Sequence, residues 1–203
     1  MWDLDSGCTL ATLEGHTNRV NACTMTPNGR RVISASDDQT LKVWDLESGR
    51  ALATLEGHAD RVAACVVAPD GRRVISASDD RTLKVWDMES GRVLATLEGH
   101  ADWVNACTVM PDGRRVVSAW DDRTLKVWDL ESGRVIATLE DHADRVSACT
   151  VTPDGSRVIS ASDDQTLKVW DLESGRAIAT LEGHSAARRT APVSTSLRAA
   201  RVG

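Results

Sequence analysis

The 203-residue sequence contains no phenylalanine and no tyrosine. All seven of its aromatic residues are tryptophan, and five of them recur at one interval, which points to a repeated unit. Long apolar runs are missing too. Nothing approaches the roughly 18 consecutive apolar residues of a membrane span, so no membrane contact is expected. The opening MWDLDSG has neither the charged segment nor the apolar stretch of a secretion signal. Basic charge is scarce outside one end. Net charge is −6, yet residues 185–203 carry Arg188, Arg189, Arg198 and Arg201 with no acid, leaving 30 acids against 20 bases in residues 1–184. Nucleic-acid affinity rests on Lys and Arg neutralising phosphates, so an acidic body argues against a nucleic-acid partner.

Cysteine is present, but not as pairs. Cys23, Cys65, Cys107 and Cys149 stand 42 residues apart, at the same place in successive units. Equivalent positions of neighbouring units lie too far apart for a disulfide, whose Cα atoms sit roughly 4.4–6.8 Å from each other. There is no Cys-x-x-Cys pair and no zinc-like cluster with histidine, so no metal and no cofactor is expected. These cysteines read as small buried hydrophobes in a reducing compartment, the cytoplasm.

What is there is a period. Trp-Asp occurs at 2, 44, 86, 128 and 170, and His16, His58, His100, His142 and His184 keep the same spacing of 42. Pro27, Pro69, Pro111 and Pro153 each precede Asn-Gly or Asp-Gly. Within the first copy, residues 20–25, 31–36, 40–45 and 51–55 read as four short strands. Pro27-Asn28-Gly29, Asp37-Asp38-Gln39 and Glu47-Ser48-Gly49-Arg50 turn the chain between them. Both faces of each strand set carry apolar or small residues, as expected of a sheet covered on both sides.

Gly-His, then a strand pair ending SASDD, then TLKVWD resembles the WD40-repeat family across residues 2–184. The resemblance implies an all-β fold, a β-propeller of WD40 type with four four-stranded antiparallel blades at about 15–55, 57–97, 99–139 and 141–181. One extra outer strand falls at 8–13, and residues 185–203 form a basic tail expected to be disordered. First, second and third strands occur four times and fourth strands five times, so the chain is out of step with a self-closed ring. An open arc, or half of a larger ring, is expected. Met1 stands where Val43, Val85, Val127 and Val169 stand, as a valine codon used as a start site would give.

The family places a buried polar network in each blade. By resemblance it comprises His16, Ser36, Asp38 and Trp44, then His58, Ser78, Asp80 and Trp86, and in the fourth blade His142, Ser162, Asp164 and Trp170. The indole N–H points to serine or histidine, and the aspartate takes the remaining imidazole N–H. In the third blade, His100, Asp122 and Trp128 match, but Trp120 replaces the serine. His, Ser and Asp together have the composition of a hydrolase triad. Four copies, with serine inside a strand and not on a nucleophile elbow, argue for structure and against an enzyme. Asp141 replaces the glycine before His142, and is expected to tolerate a positive φ there.

The copies are nearly identical, so their differences carry the information. These fall at Arg19, Arg61, Trp103 and Arg145, at Gln39, Arg81, Arg123 and Gln165, and at Trp120. By resemblance these residues share the top face, a rim suited to a protein or peptide partner, with tryptophan as a candidate anchor. The expected function is a non-catalytic protein–protein interaction scaffold or ligand-sensing propeller. A homodimer would complete an eight-bladed ring. The alternative is a truncated fragment of a larger WD40 regulator, with an ATPase or kinase effector elsewhere and no independent activity.

Overall fold

A computed structural model describes residue 8 and residues 11–183. Its sixteen strands fall into four sheets. Blade 1 is β1 Val20–Met25, β2 Arg31–Ser36, β3 Leu41–Asp45 and β4 Ala51–Leu55. Blade 2 is β5 Val62–Val67, β6 Arg73–Ser78, β7 Leu83–Asp87 and β8 Val93–Leu97. Blade 3 is β9 Val104–Val109, β10 Arg115–Trp120, β11 Thr124–Asp129 and β12 Val135–Glu140. Blade 4 is β13 Val146–Val151, β14 Arg157–Ser162, β15 Thr166–Asp171 and β16 Arg176–Glu182. Each sheet is an antiparallel meander in chain order.

Local chemistry sets the turns. Gly29, with φ of 69°, closes the β1–β2 hairpin with its N–H bonded to Thr26 O. The β2–β3 turn is a type I turn followed by one left-handed residue, the usual three-residue hairpin. That left-handed residue is Gln39, Arg81, Arg123 or Gln165, with φ between 69° and 71°. Asp141 is not among the left-handed residues. A Cβ at the matching Gly57 would lie 3.4 Å from the Trp86 ring. Asp141 sends its carboxylate to Lys168 Nζ at 2.5 Å.

The four sheets form an open arc. The first strands face inward, β1 packing on β5, β5 on β9 and β9 on β13. The core lies between blades. Ile33, Ala35, Leu41, Val43 and Leu55 of blade 1 meet Val62, Cys65, Val74, Trp86 and Met88 of blade 2. Blades 3 and 4 join the same way through Val117, Ala119, Leu125, Val146 and Trp170. Burial pushes the Cys65 and Cys149 thiols up to about 12, and Sγ of each lies against a carbonyl of the preceding blade. Cys23 departs from the buried reading, because it lies on a flank that no blade covers among the described residues.

Of the expected outer strand at 8–13, Thr9 and Leu10 lie outside the described residues, and Ala11–Leu13 belongs to none of the four sheets. The basic tail, Met1, the first Trp-Asp pair and His184 also lie outside them.

Candidate functional site

Each blade centres on a tryptophan, a serine and a histidine. In blade 1 the Trp44 indole N–H donates to Ser34 Oγ at 2.8 Å, and Ser34 Oγ lies 2.7 Å from His16 Nε2. His16 Nδ1 is 2.7 Å from Asp38 Oδ2. An ionised carboxylate only accepts, so Nδ1 carries the proton and Nε2 accepts from the serine. Blade 2 repeats this with Trp86, Ser76, His58 and Asp80, and blade 4 with Trp170, Ser160, His142 and Asp164.

The serine of this network is therefore not Ser36, Ser78 or Ser162. It stands two residues earlier, at Ser34, Ser76, Ser118 and Ser160. Register explains the correction. Trp44 pairs with Val32, so Ser34 is its diagonal neighbour on the same face. Ser36 lies two residues further on, about 7 Å along the strand and beyond the indole N–H. Ser36 serves the turn instead, donating to Asn18 O and accepting from Asp38 N–H. Ser78 and Ser162 do the same.

Burial pushes the Asp38 carboxyl up. Hydrogen bonds from Thr40, His16 and the Thr17 and Thr40 amides outweigh it and hold the group well below the usual carboxylate range. Asp80 and Asp164 are held low by the same opposition.

Blade 3 is different. Ser118 is retained, accepting from the Trp128 indole at 2.8 Å and lying 2.9 Å from His100 Nε2. Trp120 therefore does not replace the network serine. It is fully buried against the His100 ring. His100 Nδ1 and Trp120 Nε1 both lack a hydrogen-bond partner. Asp122 bonds Thr124 instead. Burial, reinforced by the charge of Lys126, holds His100 well below the usual imidazole range. A buried Trp120 cannot belong to a partner-binding rim, so that expectation is corrected.

The remaining variable residues divide in two. Gln39, Arg81, Arg123 and Gln165 occupy the left-handed turn position. Trp103, on the loop before β9, is 48% exposed, and the Arg61 guanidinium of blade 2 lies over its ring at 5.8 Å. Arg61 is held in turn by the Asp79 carboxylate, and Arg145 by Asp163 at 2.6 Å. Arg19 is exposed beside the same edge.

A set of residues not singled out from sequence lies just beneath. Asn21 Nδ2 donates to Asp37 Oδ1 and to Val62 O of blade 2, and Asn105 bridges Asp121 and Val146 O likewise. Ala63 and Ser147 stand in those places in blades 2 and 4. Asp79 Oδ1 consequently has no partner. The signal was available as Asn, Ala, Asn, Ser at 42-residue spacing. Among the described residues no group of His, Cys, Asp and Glu side chains could hold a metal ion. No helix there is long and apolar enough to cross a membrane.

A family model described as WD domain, G-beta repeat matches residues 7–45, 49–87, 91–129 and 133–171. The chain belongs to the WD40 family. Repeats of this family generally mediate protein–protein interaction and are typically non-catalytic. The match takes in every strand except β16, while no curated protein matches the chain.

Proposed function

We propose that this WD40 chain is a non-catalytic scaffold that binds a protein or peptide at the edge bearing Trp103. The exposure of Trp103 carries the reading. It is a large indole at a position where the other blades have arginine, and its near side is backed by an arginine that a carboxylate holds in place. Tryptophan on a rigid support is the typical anchor of a protein interface. Arg19, Arg61 and Arg145 hold the matching position in the other blades, Arg61 and Arg145 each paired with an aspartate, and Gln39, Arg81, Arg123 and Gln165 at the turns complete the face.

The Ser–His–Asp arrangement has the hydrogen-bond order of a hydrolase triad, but its chemistry is different. The serine oxygen already accepts an indole N–H, and Ser76 and Ser118 are fully buried. The arrangement is also repeated, which suits a structural network. No cofactor is called for, and cysteines spaced one blade apart, with Cys65, Cys107 and Cys149 each against a carbonyl of the preceding blade, suit a cytoplasmic setting.

The test uses peptides selected from a displayed random library by the purified chain. Trp103→Ala should weaken their binding at least tenfold, about 1.4 kcal/mol or more. An unchanged Kd would sink the assignment.

A second reading concerns the partner. Val20 and Leu181, on opposite flanks of the arc, are 50% and 51% exposed. Uncovered apolar flanks favour a homodimer that completes an eight-bladed ring. Light scattering should then give twice the 21.9 kDa chain mass.

A further inference from the structure

The three interfaces inside the arc are built from the same two surfaces. The far flank of blade 1 supplies Ile33, Ala35, Leu41, Val43 and Leu55, all essentially buried. The near flank of blade 2 meets it with Val62, Cys65, Val67, Val74, Trp86 and Met88. The last interface repeats this with Val117, Ala119, Leu125, Val127 and Leu139 against Val146, Cys149, Val151, Val158, Trp170 and Leu172.

Each end of the arc leaves one half of this pair. On blade 1, Val20, Cys23, Met25, Val32, Trp44 and Leu46 line an apolar cleft of about 590 Å³, bordered also by Ala11–Leu13. Met25 is 54% exposed there, whereas the matching Val109 is 9% exposed. On blade 4, Ile159, Ala161, Leu167, Val169 and Leu181 repeat, residue for residue, the far flank of blade 1. Leu181 is 51% exposed, while Leu55, Leu97 and Leu139 are fully buried.

We infer that the blade 1 cleft is the docking site for the blade 4 far flank of a second copy of this chain, joined head to tail. The inference rests on the dimer reading above and adds to it the two surfaces and their direction. Two interfaces of the same composition, and a third with Trp120 added, already exist within one chain, so the fit is demonstrated there. Pairing of like flanks would set one near flank against another, an arrangement that none of the three contains. A head-to-tail contact that closes after two copies leaves neither apolar flank in water.

The new junction has definite contacts. Cys65, Cys107 and Cys149 each approach a carbonyl of the preceding blade, at Ile33, Ile75 and Val117. Cys23 would meet Ile159 O of the partner copy in the same way. Gly71, Gly113 and Gly155 sit against Pro27, Pro69 and Pro111, and Gly29 would sit against Pro153. One slot is already filled. Leu13 stands against Gly49 as Leu55 stands against Gly91, where Leu181 of the incoming blade belongs. Thr12 and Leu13 are in none of the four sheets, while β16 runs in register along β15. Docking therefore moves Leu13 and keeps β16.

The experiment is sedimentation of the full chain at micromolar concentration, with near-UV circular dichroism as the check on folding. Val20→Arg and Leu181→Arg charge the two flanks at positions already half in solvent. Each variant alone should halve the mass, from a dimer to a monomer. Their equimolar mixture should return to the dimer, because one junction joins an intact cleft to an intact far flank. Cys23→Arg and Ile159→Arg form a second pair if either first variant misfolds. A monomeric wild type would overturn the dimer reading and this inference with it. A dimeric wild type would overturn only head-to-tail docking if the mixture stays monomeric, or if only one variant dissociates.

Discussion

Trp120 shows how one side chain disturbs a repeated network. It shares the interior of blade 3 with His100 and leaves two buried nitrogens unpaired. Trp120→Ser restores the residue of the other three blades, relieving overpacking that typically costs about 1–3 kcal/mol. Thermal unfolding of this variant should shift upward accordingly. Its pH dependence should also change. The folded pKa of His100 lies below its unfolded value, so the unfolded chain binds the extra proton below about pH 6.5. Wild-type stability should fall as pH drops through that region, and the variant should show a shallower fall. Ser76 offers a complementary test. Ser76→Ala strips the Trp86 and His58 nitrogens of a buried partner, costing about 1–3 kcal/mol. Ser78→Ala, which loses only turn bonds, should cost less; equal losses in denaturant titration would contradict the assignment. The tryptophan and histidine were legible in the sequence, but the serine was not. Three of the four copies offer two serines two residues apart on one strand face, and the cross-strand register decides which one the indole reaches.

At the scale of the element, strands and turns were readable because their causes are local. Pro-Asn-Gly or Pro-Asp-Gly stops a strand, and alternation between two apolar faces marks a sheet covered on both sides. The links between blades were not readable in this way, since they join residues about 41 apart through the geometry of the arc. Asn21 and Asn105 tie blade 1 to blade 2 and blade 3 to blade 4, and Ala63 omits the tie between blades 2 and 3. Burial accordingly raises the Asp79 pKa, with Arg61 opposing it on one oxygen only. Ala63→Asn should supply a donor to Asp79 Oδ1 and a second bond to Val104 O. The expected gain is about 1 kcal/mol, the usual net worth of a hydrogen bond, read as a higher denaturant midpoint at unchanged slope. A lower midpoint would mean that the inner strands lack room for the amide.

For the whole molecule, the repeat makes stability a matter of neighbours. Each blade touches only those beside it, so the arc behaves as a short one-dimensional array. Among the described residues, blades 2 and 3 are covered by a neighbouring blade on both flanks, whereas blades 1 and 4 are covered on one. The difference shows in the strands. β5 and β9 bury their first valine completely, while Val20 of β1 is half exposed, and Leu181 of β16 is half exposed where Leu97 of β8 and Leu139 of β12 are buried. Closure could not be read from the sequence for the same reason that the blades could. Nearly identical units present nearly identical flanks, and identity cannot say whether a flank meets its own chain or another. Hydrogen exchange separates these levels, because it reports the opening free energy of each segment. In a solution dilute enough to keep chains apart, amides of β5–β11 should exchange slowest, with β1 and β16 fastest. Exchange should therefore proceed inward from both ends of the arc. Uniform protection across all sixteen strands at that dilution would show that the four blades open as one unit, and that one covered flank holds a blade as firmly as two.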